Sequence, residues 1–201
     1  MILKSIFIRN ILVVSFAATP IFATAQNKTE WSPSVQLTIE DFQSNASKID
    51  ENVEQFIIQP AIRMDFSFQM SSYEFMLTKN FNSKVTTTFN PKASVLAAPD
   101  IMFANRLLKY AQLNFNLLEL YARKYRKRLY ESKGVLSEAS FFQKAYDGLE
   151  EEYNERQALL NQTANMGQNE EIVIEANNEV LQEILELEDF CKTCKPEKKR
   201  H

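Results

Sequence analysis

Two cysteines near the C-terminus have the spacing of a thiol–disulfide redox pair. Cys191 and Cys194 are separated by two residues and are the only cysteines in the chain. A thioredoxin-type site places such a pair at the start of a helix that follows a strand. Here the pair follows a predicted helix and lies in a charged tail, residues 191–201. This context favours a local disulfide formed in an oxidising compartment, with thiol-redox chemistry as the less favoured alternative.

Most other catalytic chemistries lack the residues that they need. The only histidine is His201, the last residue, so a zinc site built on two or more histidines is impossible. A histidine at the chain terminus is also a poor base for a Ser–His–Asp or Cys–His nucleophile. Three scattered glycines cannot form a phosphate-binding loop. Carboxylate catalysis needs two acids facing one cleft, and Glu40, Asp41 and Glu119 lie in no motif that indicates this.

A long helix predicted from Asp100 to Lys133 should organise the fold. Its apolar residues recur every three or four positions, the spacing that keeps side chains on one side of a helix. The residues of this row are Ile101, Ala104, Leu108, Ala111, Phe115, Leu118, Ala122, Tyr125 and Leu129. Asp100 can cap the start of the helix, and Gly134 can close its end. A second row at the same spacing consists of Leu107, Tyr110, Asn114, Leu117 and Tyr121.

The middle of this helix resembles the active-site helix of a family of secreted, zincin-like bacterial metalloproteases of unknown function. The family pattern is Leu-Leu-x-His-Glu-Gln-x-His-Phe-Asp, and residues 107–116 read Leu-Leu-Lys-Tyr-Ala-Gln-Leu-Asn-Phe-Asn. In such a helix two histidines four residues apart hold Zn²⁺, and the Glu between them activates the bound water. Tyr110 stands at the first His, Ala111 at the Glu and Asn114 at the second His. A phenol and an amide cannot replace two imidazoles, and a methyl group cannot accept a proton.

Two further stretches resemble the same family. Residues 37–43, Leu-Thr-Ile-Glu-Asp-Phe-Gln, resemble the motif at the start of its domain, where Trp often stands at the position of Ile39. Residues 160–167, Leu-Asn-Gln-Thr-Ala-Asn-Met-Gly, correspond to Tyr-Asp-x-Glu-Thr-x-His-Gly, whose His is the third metal ligand. The resemblance implies a scaffold that binds no metal or cofactor and has no catalytic base. Its vestigial active-site positions are Tyr110, Ala111, Asn114 and Met166.

Alternating apolar and polar residues before the central helix predict an antiparallel sheet. The clearest alternation runs from Ile62 to Met70, and weaker strand candidates lie at residues 35–39, 73–81 and 85–89. The aromatic residues of these strands favour a sheet face covered by helices over a ligand groove.

Two further helices are predicted after the central one. The first should follow Ser137, its expected cap, and the second should run from about Glu170 to Phe190. The predicted fold class is α+β, with an N-terminal antiparallel sheet packed against the long central helix and two C-terminal helices. These elements make one domain, residues 26–190, which the resemblance implies to be zincin-like.

The first 25 residues predict a secretory signal peptide. Lys4 and Arg9 charge its start, residues 11–18 are mostly apolar, and Ala-Thr-Ala at 23–25 is a small-residue cleavage site. A membrane anchor is the less favoured alternative because the apolar run is too short to span a bilayer. Cleavage leaves 21 Lys and Arg against 26 Asp and Glu, a net charge of about −5, which does not indicate nucleic-acid binding. We expect a secreted or periplasmic protein with no stable membrane span after signal removal.

Charge is segregated along the chain. Basic residues between Arg123 and Lys133 gather at the C-terminal end of the central helix, where the helix dipole favours cations. We expect a solvated helix end, with binding to an anionic envelope polymer or lipid headgroup as the alternative. Twelve acidic residues between Glu150 and Asp189, against one base, could complement this basic cluster or bind divalent cations.

These observations predict a pseudopeptidase, a secreted and catalytically inactive zincin-like domain that binds or scaffolds in the cell envelope. Its expected cleft lies between the sheet and the central helix, with Tyr110 and Asn114 at the floor and Tyr121 beside them. Tyr and Asn can hydrogen-bond an envelope protein, peptide or glycan without hydrolysing it. One alternative is a purely structural envelope protein whose cleft is filled. A less favoured one is an active secreted peptidase or a thiol-redox protein that uses Cys191 and Cys194.

Overall fold

The computed structural model describes residues 28–134, 136–138 and 140–196, so the predicted signal peptide lies outside the described residues. Residues 28–100 of the described part contain six strands. These are β1 (Thr29–Glu30), β2 (Lys48–Ile49), β3 (Ile57–Gln59), β4 (Ile62–Phe66), β5 (Val85–Phe89) and β6 (Val95–Ala98). One sheet has the order β1-β5-β4 and is antiparallel, whereas the other has the order β2-β6-β3 and pairs β2 with β6 in parallel.

Four helices complete the α+β fold predicted from the sequence. They are α1 (Ser72–Leu77), α2 (Ile101–Ser132), α3 (Phe141–Thr163) and α4 (Glu170–Glu186). The predicted central helix is α2, and the Asp100 side chain caps it by accepting a hydrogen bond from the Phe103 amide at 2.8 Å. Both sheets, α3 and α4 all pack on α2, so it is buried on several faces. Within the described ranges no helix is long and apolar enough to cross a membrane.

The sheet predictions need four corrections. There are two small sheets rather than one, and the parallel pairing of β2 makes the second of them mixed. Residues 35–39 form no strand, because the chain turns there into a single 3-10 turn, Ile39–Asp41. The alternation that begins at residue 62 ends as a strand at Phe66 rather than at Met70. Residues 73–81 also form no strand, since Ser71 caps the short helix α1 by accepting from the Glu74 amide at 3.1 Å.

The helix boundaries after α2 also differ from the prediction. Ser137 does not cap α3, because its hydroxyl oxygen accepts a hydrogen bond from the Gly134 amide at 2.8 Å and the helix begins at Phe141. The helix α4 ends at Glu186, and the separate 3-10 turn Glu188–Phe190 continues the chain. This turn leads directly into the cysteine pair.

The basic cluster at the end of α2 is not a uniformly solvated helix end. Arg123 and Arg126 are 5% and 1% exposed, and both donate to one buried carboxylate, that of Glu119, over 3.2 and 2.8 Å. The other carboxylate oxygen of Glu119 accepts from the Thr87 hydroxyl at 2.9 Å. Arg126 also donates to the Val85 carbonyl of β5 at 2.8 Å. This buried ion cluster therefore joins the antiparallel sheet to the central helix.

The same arginines hold the C-terminal segment. Arg126 donates to the Phe190 carbonyl at 3.0 Å, and Arg123 donates to the Ile184 carbonyl at 2.8 Å. Charged donors on α2 thus reach carbonyl groups in the last turn of α4 and in the 3-10 turn that follows it.

Acidic residues of α3 and α4 pair with two further bases of α2. Lys124 lies 3.2 Å from Glu183, and Arg128 pairs with Glu152. Acidic and basic residues that are separate in the sequence thus pair with each other between packed helices.

Candidate functional site

Tyr110 and Asn114, which stand at the two histidine positions of the sequence resemblance, lie one turn apart on α2. The Asn114 side-chain amide donates to the Tyr110 carbonyl at 2.8 Å, one helical turn back. The Tyr110 hydroxyl donates to the side-chain oxygen of Asn161 on α3, and Asn114 accepts a longer bond of 3.4 Å from Gln157. Burial raises the pKa of Tyr110, so its phenol stays protonated near neutral pH.

The turn between α3 and α4 closes over the same face. Asn165 and Met166 have positive φ angles of 46° and 52°, and Gly167 follows with φ of 97°. A Cβ atom on Gly167 would lie 2.8 Å from the Tyr110 Cβ, so the backbone approaches the central helix as closely as only glycine allows. Met166 itself is 46% exposed. The turn therefore meets Tyr110, while the Met166 side chain remains at the surface.

This arrangement corrects the expected cleft floor. Tyr110 and Asn114 are each only 4% exposed and Ala111 is fully buried, because α3 and the following turn pack over them. These residues do not line an open cleft. A sequence pattern places side chains on a common helix face but does not tell whether another helix covers that face.

An open cleft does lie between the antiparallel sheet and α2, displaced from the expected floor. It has a volume of about 220 Å³ and is bounded by β4, α2 and α3. Its lining residues are Ile62, Arg63, Met64, Leu118, Tyr121, Tyr146, Leu149, Glu150, Tyr153 and Asn154. We call it the tyrosine cleft. Of the three residues expected to bind a ligand, it contains Tyr121.

Tyr146 and Tyr153 were not predicted as site residues. They lie seven residues apart on α3, and that spacing returns to the same helix face after two turns. Tyr153 continues the spacing of the apolar residues Ala145 and Leu149, where a tyrosine is ordinarily interpreted as part of the core. The signal that could have identified the pair is this repeated tyrosine next to the charged and polar residues Glu150 and Asn154.

The three phenols of the tyrosine cleft are hydrogen-bond donors at neutral pH. Burial raises the pKa of Tyr121 and Tyr146, and raises the pKa of Tyr153 to about 12. The rings of Tyr121 and Tyr153 meet edge to face at 5.3 Å, and the Tyr121 hydroxyl donates to the Glu152 carbonyl at 3.1 Å. This contact fixes the orientation of Tyr121. The cleft therefore combines ordered aromatic surface with polar groups at its rim.

The rim of the cleft carries both signs of charge. The Arg63 guanidinium lies 2.5 Å from Asp65, its neighbour but one on β4, and Glu150 is exposed on α3. Such groups can recognise hydroxyl and amide groups of a ligand. Elsewhere in the described part of the chain, no three His, Cys, Asp or Glu side chains are grouped as metal ligands would be.

The cysteine pair lies in the docked C-terminal segment, and the two sulfurs form a disulfide. The Asn82 amide donates to the carbonyls of Asp189 and Cys194 at 3.0 and 3.1 Å, and Asn80 donates to the Cys194 carbonyl at 3.1 Å. The pair follows a 3-10 turn instead of opening a helix, so it lacks the helix N-terminus that lowers a thiol pKa in thioredoxin-type sites.

Comparison with known proteins gives no relative: no protein-family model, no curated protein and no solved structure matches this chain. The function is therefore inferred from the geometry.

Proposed function

We propose that this chain is a secreted, catalytically inactive zincin-like protein that binds a peptide or glycan of the cell envelope, or scaffolds a partner there, through the tyrosine cleft. The observation that carries the proposal is a contrast on the central helix. Tyr110, Asn114 and Tyr121 lie in one row along α2 and are each 4% exposed. The packing of α3 and the following turn closes this row at Tyr110 and Asn114, whereas at Tyr121 the row borders an open cleft.

The packing of the three family-like stretches supports the zincin-like part of the proposal. The Leu37 amide, in the stretch 37–43, donates to the Gln112 side chain at 2.8 Å, in the stretch 107–116. Gly167, at the end of the third stretch, touches Tyr110. Segments separated by dozens of residues thus meet around one helix, as a shared ancestral site would require.

Inactivity follows from residue chemistry. Zinc-dependent hydrolysis needs ligands such as neutral imidazole and a carboxylate that takes a proton from the metal-bound water. Tyr110 and Asn114 offer a protonated phenol and an amide, and Ala111 offers neither acid nor base. The remaining capacity of the scaffold is recognition.

Binding at the cleft is tested by NMR of the secreted chain labelled at its methionine methyl groups. Met64 lines the cleft, and Met102 is exposed at the start of α2. Short peptides and soluble peptidoglycan fragments are titrated separately. We expect one class to shift Met64 and leave Met102 unchanged.

Matched variants identify the site. Tyr146→Ala should weaken binding at least tenfold, because it removes an aromatic wall of the cleft. Tyr73→Ala should have no effect, because Tyr73 is 70% exposed on α1 and is not a cleft residue. If no peptide or glycan moves the Met64 signal, the binding proposal is wrong.

The second candidate is a purely structural envelope protein, and the packing of Tyr110 favours it. Tyr110 bonds to Asn161 and meets Gly167, so the former site now serves as a helix–helix contact. If the protein is purely structural, neither peptides nor glycans should shift the Met64 signal. The Tyr146→Ala substitution should then change only the stability of the protein.

A further inference from the structure

We propose a second binding site on this protein, a pocket that takes a short uncharged peptide segment with an aliphatic side chain. It lies between the N-terminal loop at residues 36–37, α2 and α4, and has a volume of about 290 Å³. It shares no lining residue with the tyrosine cleft, so the inference goes beyond the proposed function. Its lining residues are Gln36, Leu37, Leu108, Lys109, Gln112, Val173, Ile174, Asn177 and Asn178.

The pocket has an apolar part and an amide part. Leu37 and Val173 are buried and Leu108 is half-buried, so together they offer a small aliphatic surface. The side-chain amides come from all three bounding segments, and Gln36 and Asn178 are exposed. A concave apolar surface with a few placed polar groups is the usual composition of a ligand site.

A series of hydrogen bonds, in part buried, holds two of these amides, Gln112 and Asn177, in place. The Trp31 indole and the Gln112 amide both donate to the Asn116 side-chain oxygen, at 2.9 and 3.1 Å. The Asn116 amide donates in turn to the Asn177 side-chain oxygen at 2.8 Å.

These hydrogen bonds determine which donors and acceptors the pocket can offer a ligand. The Gln112 oxygen accepts the Leu37 amide, and the Asn177 oxygen is occupied by Asn116. The Asn177 amide group therefore remains as an oriented donor beside the aliphatic surface. A pocket whose polar groups are already positioned loses less entropy when a ligand binds.

Charge and shape select the ligand class. Lys109 is the one charged lining residue, and its ammonium lies 2.5 Å from the Glu170 carboxylate, so the charge is paired. The lining contains no aromatic ring on which a sugar could stack. Amides present donors and acceptors that match a peptide group, and the aliphatic residues match a Leu-like side chain. The geometry thus favours an uncharged peptide over a glycan or a charged ligand.

The test follows the side-chain amide signals of the ¹⁵N-labelled full chain during titration with acetylated, amidated tripeptides. Ac-Gly-Leu-Gly-NH₂ should shift the signals of Gln112, Asn177 and Asn178 with a dissociation constant of about 1 mM, the weak end of the usual affinity range. Ac-Gly-Asp-Gly-NH₂ should bind at least tenfold more weakly. Equal binding of both peptides, or no shift with either, would overturn the proposal.

Two variants separate this site from the tyrosine cleft. Asn178→Ala removes an exposed amide from the pocket and should weaken Leu-peptide binding at least threefold. The matched control Asn154→Ala removes an exposed amide from the tyrosine cleft and should leave that binding unchanged. If chitobiose shifts the same three amides and the Leu peptide does not, the peptide assignment is wrong. The Met64 titration reports the tyrosine cleft independently, so each proposal can fail alone.

Discussion

At the scale of single residues, Gly167 shows how the sealed face of α2 is maintained. Its φ of 97° and its approach to Tyr110 both require a residue without a side chain. The conformation lets the chain turn from α3 into α4 while staying in contact with the central helix. One residue therefore closes the site that the sequence resemblance expected to be open.

Replacing Gly167 with alanine should destabilise the protein by about 2 kcal/mol or more, from backbone strain and the clash with Tyr110. The matched control is Gly134→Ala. A Cβ there would first meet the Ser137 hydroxyl oxygen at an ordinary 3.7 Å, so the change should stay within about 0.5 kcal/mol. Urea unfolding of both variants measures the difference. Equal stability of the two would show that the turn does not press on Tyr110.

Tyr153 should make the protein sensitive to alkaline pH. An unfolded tyrosine has a pKa of about 10, whereas burial raises the pKa of Tyr153 to about 12 in the folded state. The folded state holds this proton more tightly than the unfolded state. The contribution of Tyr153 to stability is therefore full below pH 10 and is lost as the pH rises through 12.

The control for this effect is Tyr153→Phe, which cannot titrate. Between pH 8 and pH 12 the parent chain should lose about 2 kcal/mol more of its free energy of unfolding than this variant loses. Thermal unfolding at a series of pH values tests the difference. Identical pH profiles would contradict the burial of this phenol.

At the scale of elements, the buried ion cluster decides how the helices and the sheet are held together. Glu119, Arg123 and Arg126 all come from α2, but their partners lie on β5, at the end of α4 and in the turn after it. One carboxylate serves two guanidinium groups, so the cluster already has a net positive charge, and losing Glu119 would leave both guanidinium groups without a counter-charge in the interior.

Glu119→Gln should therefore cost about 3–5 kcal/mol of the free energy of unfolding. Glu183→Gln is the matched control, because Glu183 pairs with Lys124 and Arg156 where all three side chains are still partly exposed to solvent, and such pairs contribute about 1 kcal/mol. Chemical denaturation of both variants gives the comparison. A similar small loss in each would mean that the cluster is not a structural centre.

The elements also show what sequence patterns can and cannot predict. The extent and capping of α2 were predicted, because a periodic segment of 32 residues with Asp100 ahead of it leaves little ambiguity. The strands β1, β2, β3 and β6 were missed, since two to four residues carry almost no alternation. The burial of Arg123 and Arg126 was missed for a different reason. Their partners are mostly backbone carbonyls, which leave no trace in the sequence.

At the scale of the whole molecule, the candidate site was only partly predictable. The sequence correctly placed Tyr110 and Asn114 on one helix face, because they are one helical turn apart. It did not tell that α3 would cover this face, nor that Tyr146 and Tyr153 would form a cleft with Tyr121. Those facts depend on how the helices pack, which a single sequence does not encode in a readable pattern.

The same scale carries the central claim, that this scaffold no longer binds metal at the positions of its resemblance. The most direct measurement is the zinc response of the tag-free chain from residue 26 onward, first stripped with a chelator and then desalted. A competent site would raise the melting temperature by mass action. We predict that excess Zn²⁺ changes the melting temperature by less than about 1 °C, whereas a stabilisation of about 1 kcal/mol would raise it by several degrees. We also predict that no stoichiometric zinc remains bound after desalting. Retention of one zinc per chain with a melting temperature several degrees higher would contradict the account.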